Sequence, residues 1–172
     1  MNNNQYAIAL FEIAKEQNKI TVYKEEFEAF VELLDTNEDF KKTFFTPNIK
    51  IEDKKEILKK SLIGFEEAFI FFLFVVLDNN RETLIDDIFA SFINMYNEEM
   101  KIKVVTIISV NELEEKEYDS LKDALEKHFK GYKVVINNKI DSSLIGGYHI
   151  LCNGVSINLS IQNKINSLKE GL

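Results

Sequence analysis

The stretch IDSSLIGGYHI, residues 140–150, decides how the C-terminal part of this chain folds. Its adjacent glycines, Gly146 and Gly147, interrupt a run of strand-forming residues. Such a pair marks a bulge, a sharp bend or a close approach of another backbone, and a plain turn is an equally good interpretation. The spacing matches neither a phosphate-binding loop nor a dinucleotide-binding loop, so no nucleotide cradle is predicted here.

The sequence on either side of this stretch predicts a small α/β domain over residues 103–172. A helix is expected after Asn111, which forms a capping-box-like start with Glu114, and Gly131 ends that helix. The predicted strands occupy residues 102–110, 132–136, 145–151 and 155–157. A final helix carries an apolar stripe made of Ile161, Ile165 and Leu168.

Residues 1–102 predict an all-α six-helix bundle. Apolar residues recur there at spacings of three and four, most clearly between Leu84 and Tyr96. The only proline, Pro47, biases Thr46 toward an extended backbone and separates two helices. The predicted helices cover residues 5–17, 21–34, 38–44, 51–62, 68–77 and 84–96. The lysines of the fourth helix are expected to point outward.

The longest apolar run, AFIFFLFVVL at residues 68–77, carries no charge. A helix needs about 20 apolar residues to cross a bilayer, so this run is too short to do so. A buried strand would fit the length, but the neighbouring segments all have helical periodicity. We therefore expect a central helix that is buried on nearly every side.

The distribution of charge separates the two parts of the chain. Residues 1–102 contain 12 Lys and Arg against 20 Asp and Glu, a net charge of −8, whereas residues 103–172 contain 9 of each. This acidity argues against nucleic acid as a partner. The lone Cys152 excludes an intramolecular disulfide, and the N-terminus lacks the pattern of an export signal, so a cytoplasmic protein is expected.

The residue types that carry catalysis are sparse in this sequence. His149 and Cys152 are three apart in a predicted strand, which places them on opposite faces where they cannot share a proton. Two histidines and one cysteine are too few and too scattered for a zinc site. We therefore predict no catalytic residue, no metal site and no cofactor.

Binding is the remaining chemistry. The first helix and the Phe-rich helix carry more apolar surface than a small bundle readily covers, so a groove between them could hold a third, amphipathic helix. Both helices lying deep in the core is an equally good interpretation of the same pattern. The walls predicted for the groove are Tyr6, Ala9, Leu10, Ile13, Phe72 and Val76.

Taken together, these motifs resemble the delta subunit family of rotary ATP synthases, the bacterial counterpart of the mitochondrial oligomycin sensitivity-conferring protein. The resemblance covers most of the chain and is carried by YAIALFEIA at residues 6–14, FFTPNI at 44–49, NNR at 79–81, YNEE at 96–99 and the stretch from residue 140. Two positions depart from the family pattern. Ser142 replaces its usual proline, and Leu159 replaces its usual glycine at the last turn, which puts the C-terminal partner contact in doubt.

The resemblance implies a mechanical role and not an enzymatic one. Residues 1–102 would bind the N-terminal segment of an alpha subunit, and residues 103–172 would join the C-terminal region of the b-subunit stalk on the cytoplasmic face of the membrane. The chain would touch the membrane only through the complex. Residues implied on the b-subunit side, for contact or for structure, are Leu144, Ile145, Gly146, Gly147, Ile161 and Ile165. A helical adaptor of an unrelated complex and a small enzyme are the two alternatives.

Overall fold

The computed structural model describes residues 4–143 and 147–156. The chain divides into two compact units, Met1–Tyr96 and Asn97–Leu172. The first unit is helical and the second combines a helix with a four-stranded sheet. Within the described ranges, no helix has the length and apolar character needed to span a bilayer.

The helices of the first unit have short connections, and a 3₁₀ turn at Glu82–Leu84 precedes the last of them. Asn37 ends one helix and caps the next, because its side chain accepts a hydrogen bond from the N–H of Phe40 at 3.0 Å. Thr46, before Pro47, is extended as predicted, with φ −71° and ψ 120°. The helices are α1 (Asn4–Glu16), α2 (Ile20–Thr36), α3 (Glu38–Phe45), α4 (Ile51–Ser61), α5 (Glu67–Asp78) and α6 (Ile85–Glu99).

Aromatic side chains fill the core of the helical unit. Phe27 on α2 is fully buried, and its ring lies 5.5 Å from that of Phe69 and 5.9 Å from that of Phe92. Phe30, one turn further along α2, contacts Phe44 at 5.4 Å. Rings at these distances and tilted angles gain contact energy beyond the area they bury. The packing therefore ties α2 to α3, α5 and α6 through one aromatic cluster.

The Phe-rich run forms helix α5, as predicted, but it is not buried on nearly every side. Phe71 is 60% exposed and Val75 is 50% exposed, while Phe69, Leu73 and Val76 have no exposed surface. Residues 71 and 75 are one turn apart, so they form a ridge along the outer side of the helix. An all-apolar helix gives no periodic signal of which side faces out, which is why the sequence did not predict this ridge.

The described part of the second unit contains a sheet and one helix, α7, at Glu115–His128. Its strands are β1 (Ile102–Ser109), β2 (Lys133–Ile140), β3 (Tyr148–Cys152) and β4 (Val155–Ser156), in the order β2-β1-β3-β4. Strand β1 pairs in parallel with β2, through α7 as the crossover, and antiparallel with β3. Strand β1 is therefore an inner strand that pairs with a neighbour on each of its two edges.

One face of the sheet forms the core of the second unit. Alternate residues of the strands point toward α7 and bury its apolar stripe. This core contains Val105, Ile107, Val134, Ile136 and Ile150 from the strands and Leu121 and Leu125 from α7.

The start of α7 differs from the prediction. Its N-cap is Glu114, whose side chain accepts a hydrogen bond from the backbone N–H of Glu117, the third residue of the helix. In return, the Glu114 N–H donates to the Glu117 carboxylate at 3.2 Å, which completes a capping box. Asn111 lies outside the helix. The reason is a long-range contact, because the N–H of Leu113 donates to Asn138 Oδ1 on β2 at 3.1 Å and is held out of the helix. The predicted final helix lies outside the described residues.

Candidate partner-binding surface

Helices α1 and α5 are neighbours in the first unit, as the predicted groove requires. The predicted wall residues do not all face outward. Leu10 and Val76 are fully buried and Phe72 is 7% exposed, so these three are core residues and present almost no surface to a partner. Tyr6 is half-buried, whereas Ala9 and Ile13 are exposed. The sequence prediction therefore assigned three inward positions to the surface.

The outward apolar positions of these helices are partly ones that the sequence did not single out. Ile8 and Ile13 on α1 are 42% and 36% exposed, and they accompany the Phe71–Val75 ridge of α5. Tyr6, Ala9 and Ile13 are spaced at three and four, so they lie on one side of α1, and Ile8 lies on the other. Apolar side chains exposed on two adjacent helices form a candidate docking surface for an apolar partner.

Lysines of α4 lie along one side of the α5 ridge. Phe71 packs edge-on against Phe74 at 5.9 Å. The ammonium groups of Lys55 and Lys59 lie 5.5 and 5.4 Å from the centre of the Phe74 ring, within the range of a cation–π interaction. Lys55 also pairs with Asp78 at the end of α5 at 2.6 Å. These contacts fix α4 against α5 and give the ridge a basic border.

A buried polar contact holds α4 from its inner side. Lys54 is 3% exposed, and its Nζ donates to the carbonyl oxygen of Phe44 at 2.7 Å and to Glu82 Oε1 at 2.8 Å. This corrects the expectation that the lysines of this helix all point outward. The partner of Lys54 is 28 positions away, and helical periodicity carries no information about it.

The N-terminal end of α5 is held by a half-buried carboxylate. Glu26 Oε1 accepts a hydrogen bond from the backbone N–H of Glu66 at 2.6 Å, while its buried Oε2 has no hydrogen-bond partner within the described part of the chain. Burial raises the pKa of Glu26, and the negative charge of Glu66 adds to the effect. The Glu66 N–H and the charge of Lys19, which pairs with Glu66 at 2.8 Å, act in the opposite direction.

In the second unit, the predicted b-side residues fall mostly beyond what the structure describes. Leu144, Ile145 and Gly146 lie outside the described residues, as do Ile161 and Ile165. Gly147 is described and has φ +81°, a left-handed conformation that glycine adopts readily and branched residues do not. The glycine is thus required by the entry into β3.

The two residues considered for nucleophilic chemistry are placed as predicted. His149 is paired with Ile108 and Cys152 with Val105. Side chains at these two positions of β1 point to opposite faces of the sheet. His149 Nε2 lies 3.3 Å from Ser156 Oγ instead. Over residues 4–143 and 147–156, no three His, Cys, Asp or Glu side chains are grouped in a way that could hold a metal ion.

Comparison with known proteins covers nearly the whole chain. A family model described as ATP synthase delta (OSCP) subunit matches residues 3–172. Proteins named ATP synthase subunit delta from Bacillus thuringiensis (strain Al Hakam) and Bacillus cereus (strain AH820) are each 27% identical over 168 residues, which is 98% of this chain and 93% of theirs. A chain in a structure of the Toxoplasma gondii mitochondrial ATP synthase hexamer has the same fold, with a TM-score of 0.76, 16% identity and coverage of 99% and 97%.

Proposed function

The chain belongs to the ATP synthase delta (OSCP) subunit family, and from this premise we propose that it is a non-catalytic stator subunit of an F-type ATP synthase. Its helical unit binds the N-terminal segment of an alpha subunit, and its second unit joins the C-terminal region of the b subunits. The chain sits at the cytoplasmic face of the membrane and meets the bilayer only through the complex. It thereby resists the torque of the rotor during ATP synthesis or hydrolysis, and it needs no cofactor.

The observation that carries the proposal is the exposed apolar surface shared by α1 and α5. Three large apolar side chains on the proposed walls, Ile13, Phe71 and Val75, are at least one-third exposed on these two neighbouring helices. Burying such side chains gains about 1.5–3 kcal/mol each when burial is complete. The exposed ridge of α5 and the neighbouring helix α1 together offer a surface along which an amphipathic partner helix can pack. We propose that Tyr6, Ala9 and Ile13 form one wall of the groove and Phe71 and Val75 the other.

A helical stator subunit must hold its partner without yielding. The contacts behind the α5 ridge favour a rigid support: the aromatic cluster fixes its inner side, Lys55 and Lys59 border Phe74, and Glu26 binds the backbone at its start. A pre-formed surface loses less entropy on binding than one that must be ordered first. This is the physical basis for assigning the docking function to α5.

Purification of the native complex tests the proposal. The full-length chain carrying an affinity tag is isolated from membranes of its own organism, and the co-purifying proteins are identified by mass spectrometry. We expect alpha and b subunits in stoichiometric amounts. Phe71→Ser together with Val75→Ser should reduce binding of an alpha N-terminal peptide to the purified chain about tenfold or more, and the exposed pair Lys60→Ser with Glu56→Ser is the matched control. Recovery with a set of proteins lacking alpha and b would favour the adaptor alternative and overturn the proposal.

A further inference from the structure

The border of the α5 ridge on the side of α4 carries positive charge. The short connection at residues 62–66 makes α4 and α5 antiparallel neighbours. Lys55 of α4 reaches Asp78 at the end of α5 and is neutralised by it at 2.6 Å. Lys59, one turn further along α4, is exposed over the Phe74 ring, and no carboxylate pairs with it within the described ranges. An uncompensated ammonium group therefore lies beside the ridge.

The other charges of these two helices are paired or lie toward the ends of the ridge. Lys60 pairs with Glu56 on α4 itself at 2.7 Å. Glu52 and Asp53 lie in the first turn of α4, and Glu67 lies in the first turn of α5. Since the helices are antiparallel, these two first turns are at opposite ends of the ridge. The uncompensated lysine therefore lies closer to the middle of the ridge than these three carboxylates do.

The wall that α1 contributes to the proposed groove carries negative charge. Glu12 and Glu16 are exposed and make no ion pair within the described part of the chain. Glu12 follows Ala9 by three positions and Glu16 follows Ile13 by three, so both carboxylates lie beside the wall residues. Lys15, the only basic residue of α1, lies on the other side of the helix. The two borders of the groove therefore differ in the sign of their charge.

We propose that the groove binds an amphipathic helix whose two edges carry opposite charge. Carboxylates line the edge that faces α4, and ammonium or guanidinium groups line the edge that faces α1. This inference rests on the proposed function, because it takes the alpha N-terminal segment as the occupant. The apolar stripe of that helix packs on Phe71 and Val75. Its acidic edge then meets Lys59, and its basic edge meets Glu12 and Glu16.

The two borders act mainly on the direction of the partner helix. Turning a helix end for end on the same apolar surface exchanges its left and right edges. The reversed helix would bring its basic edge to Lys59 and its acidic edge to Glu12 and Glu16. Exposed ion pairs contribute little to affinity, but like charges placed opposite each other disfavour the wrong arrangement. The ridge thus supplies the attachment, and the borders select one of the two directions.

A uniformly basic helix is the competing occupant. Residues 1–102 carry a net charge of −8, and this overall field attracts cations. Such a helix would be repelled by Lys59, so removing that positive charge would strengthen its binding. A helix with an acidic edge would instead bind more weakly. The direction of the change in affinity therefore separates the two occupants.

Calorimetric titration of the full-length chain with a synthetic alpha N-terminal peptide tests the α4 border. Lys59→Glu should weaken binding about threefold to tenfold, because an attraction becomes a repulsion. Lys60→Glu makes the same change of charge at the adjacent position, where the lysine is paired with Glu56. This control should change the affinity by less than about twofold. Equal effects of the two variants, or tighter binding by Lys59→Glu, would overturn the proposal.

The α1 border is tested with the opposite change of charge. Glu16→Lys should weaken binding of the same peptide about threefold to tenfold. Glu32→Lys, at an exposed position of α2, is the matched control and should change the affinity by less than about twofold. The loss in Glu16→Lys should shrink at high salt, because exposed charges are screened. An affinity of Glu16→Lys equal to that of its control would mean that no basic edge faces α1, and the proposal would be wrong.

Failure of this inference and failure of the proposed function give different results. The chain with Phe71→Ser and Val75→Ser tests the ridge itself. If that chain loses the peptide while the charge variants bind like the parent, the groove stands and the charged edges are wrong. If the peptide does not bind to the parent chain, both the proposed function and this inference are overturned.

Discussion

Lys54 Nζ and Glu82 Oε1 lie 2.8 Å apart inside the helical unit, with side chains that are 2% and 12% exposed. The same ammonium group donates to the carbonyl oxygen of Phe44, the penultimate residue of α3. One side chain therefore joins α4 to the end of α3 and to the 3₁₀ turn before α6. Removing one member of a buried pair leaves the other charge without compensation, and this costs more than the pair itself contributes.

The first prediction concerns this pair. Lys54→Met should lower the free energy of unfolding by about 3 kcal/mol or more, because Glu82 and the Phe44 carbonyl lose their partner. Lys60→Met on the same helix breaks an exposed pair with Glu56, whose side chains are 73% and 65% exposed. This variant should leave the free energy of unfolding almost unchanged. Urea denaturation of both variants measures the difference. Equal losses of unfolding free energy in the two variants would mean that the buried pair contributes no more to stability than the exposed pair.

The second prediction concerns the pH dependence of stability at Glu26. Its pKa is raised in the folded protein, first by burial. The folded state therefore holds the proton more tightly than the unfolded chain does. The resulting stabilisation is complete below the unfolded-state pKa and is lost as the pH rises through the folded-state pKa. Glu26→Gln keeps an acceptor for the Glu66 N–H without the charge, so it should be more stable than the parent at pH 7.

The size of the Glu26→Gln effect should fall with pH. We expect a gain of a few degrees in Tm at pH 7 and almost none at pH 4, where the parent carboxyl also holds its proton. Glu56→Gln, at an exposed carboxylate, is the control, and its pKa is lowered by the hydrogen bond from Lys60. A Glu26→Gln gain that is constant between pH 4 and pH 7 would contradict the assigned cause.

The third prediction locates the docking groove on α1. Ile13→Asp should weaken binding of an alpha N-terminal peptide about tenfold, because it places a charge on the proposed wall. Ile8→Asp, at a similarly exposed position on the other side of the helix, should have little effect. Ala9→Glu should also block the groove while leaving the helix intact, since Glu is a good helix former. Calorimetric titration measures all three, and a loss confined to Ile8→Asp would move the groove to the opposite side of α1.

The fourth prediction concerns the turn into β3. Gly147 has φ +81°, and a β-branched side chain there is strained by about 1–3 kcal/mol. Gly147→Val should lower Tm by several degrees, and Gly147→Asn should lower it less, because Asn tolerates a left-handed backbone. Melting curves followed by circular dichroism compare the two. If Val is tolerated as well as Asn, the backbone at this position does not require glycine.

The fifth prediction concerns the independence of the two parts of the chain. A fragment of residues 1–102 should fold alone as a helical bundle and keep the binding of the alpha peptide. A fragment of residues 103–172 should be less stable than the intact chain, since a core of this size is marginal. Circular dichroism and limited proteolysis would decide the matter. An unfolded N-terminal fragment, or a C-terminal fragment that melts later than the intact chain, would contradict the division.

Local pattern predicted the helical first part and the mixed second part of the fold, and contacts between distant residues explain most of what it missed. The helical state of α5 followed from the helical periodicity of the neighbouring segments, and the extended Thr46 followed from the restriction that Pro47 imposes. The start of α7 did not, because Asn111 satisfies the capping rule and Glu114 does not, whereas the structure holds Leu113 out of the helix through Asn138 on another strand. The inward position of Lys54 depends in the same way on Glu82.

The docking groove on α1 and α5 stays a prediction, and three of the residues named for its walls lie in the core. Amino-acid type marked α1 and α5 as unusually apolar, which is sufficient to predict a surface. It could not show that Phe72 and Val76 turn inward while Phe71 and Val75 turn outward. In an all-apolar helix this depends on where the neighbouring helices lie, and only the packed structure contains that information.

The central position of β1 has a consequence for synthesis on the ribosome. Both neighbours of β1 follow it in sequence, so the strand emerges with two unpaired edges. The last residue of β3, Cys152, appears several seconds after Ile102 at about 5–20 residues per second. All the helices of the first unit have left the ribosome by then and can fold. The nascent β1, rich in valine and isoleucine, therefore keeps two unpaired edges until β2 and β3 have been synthesised.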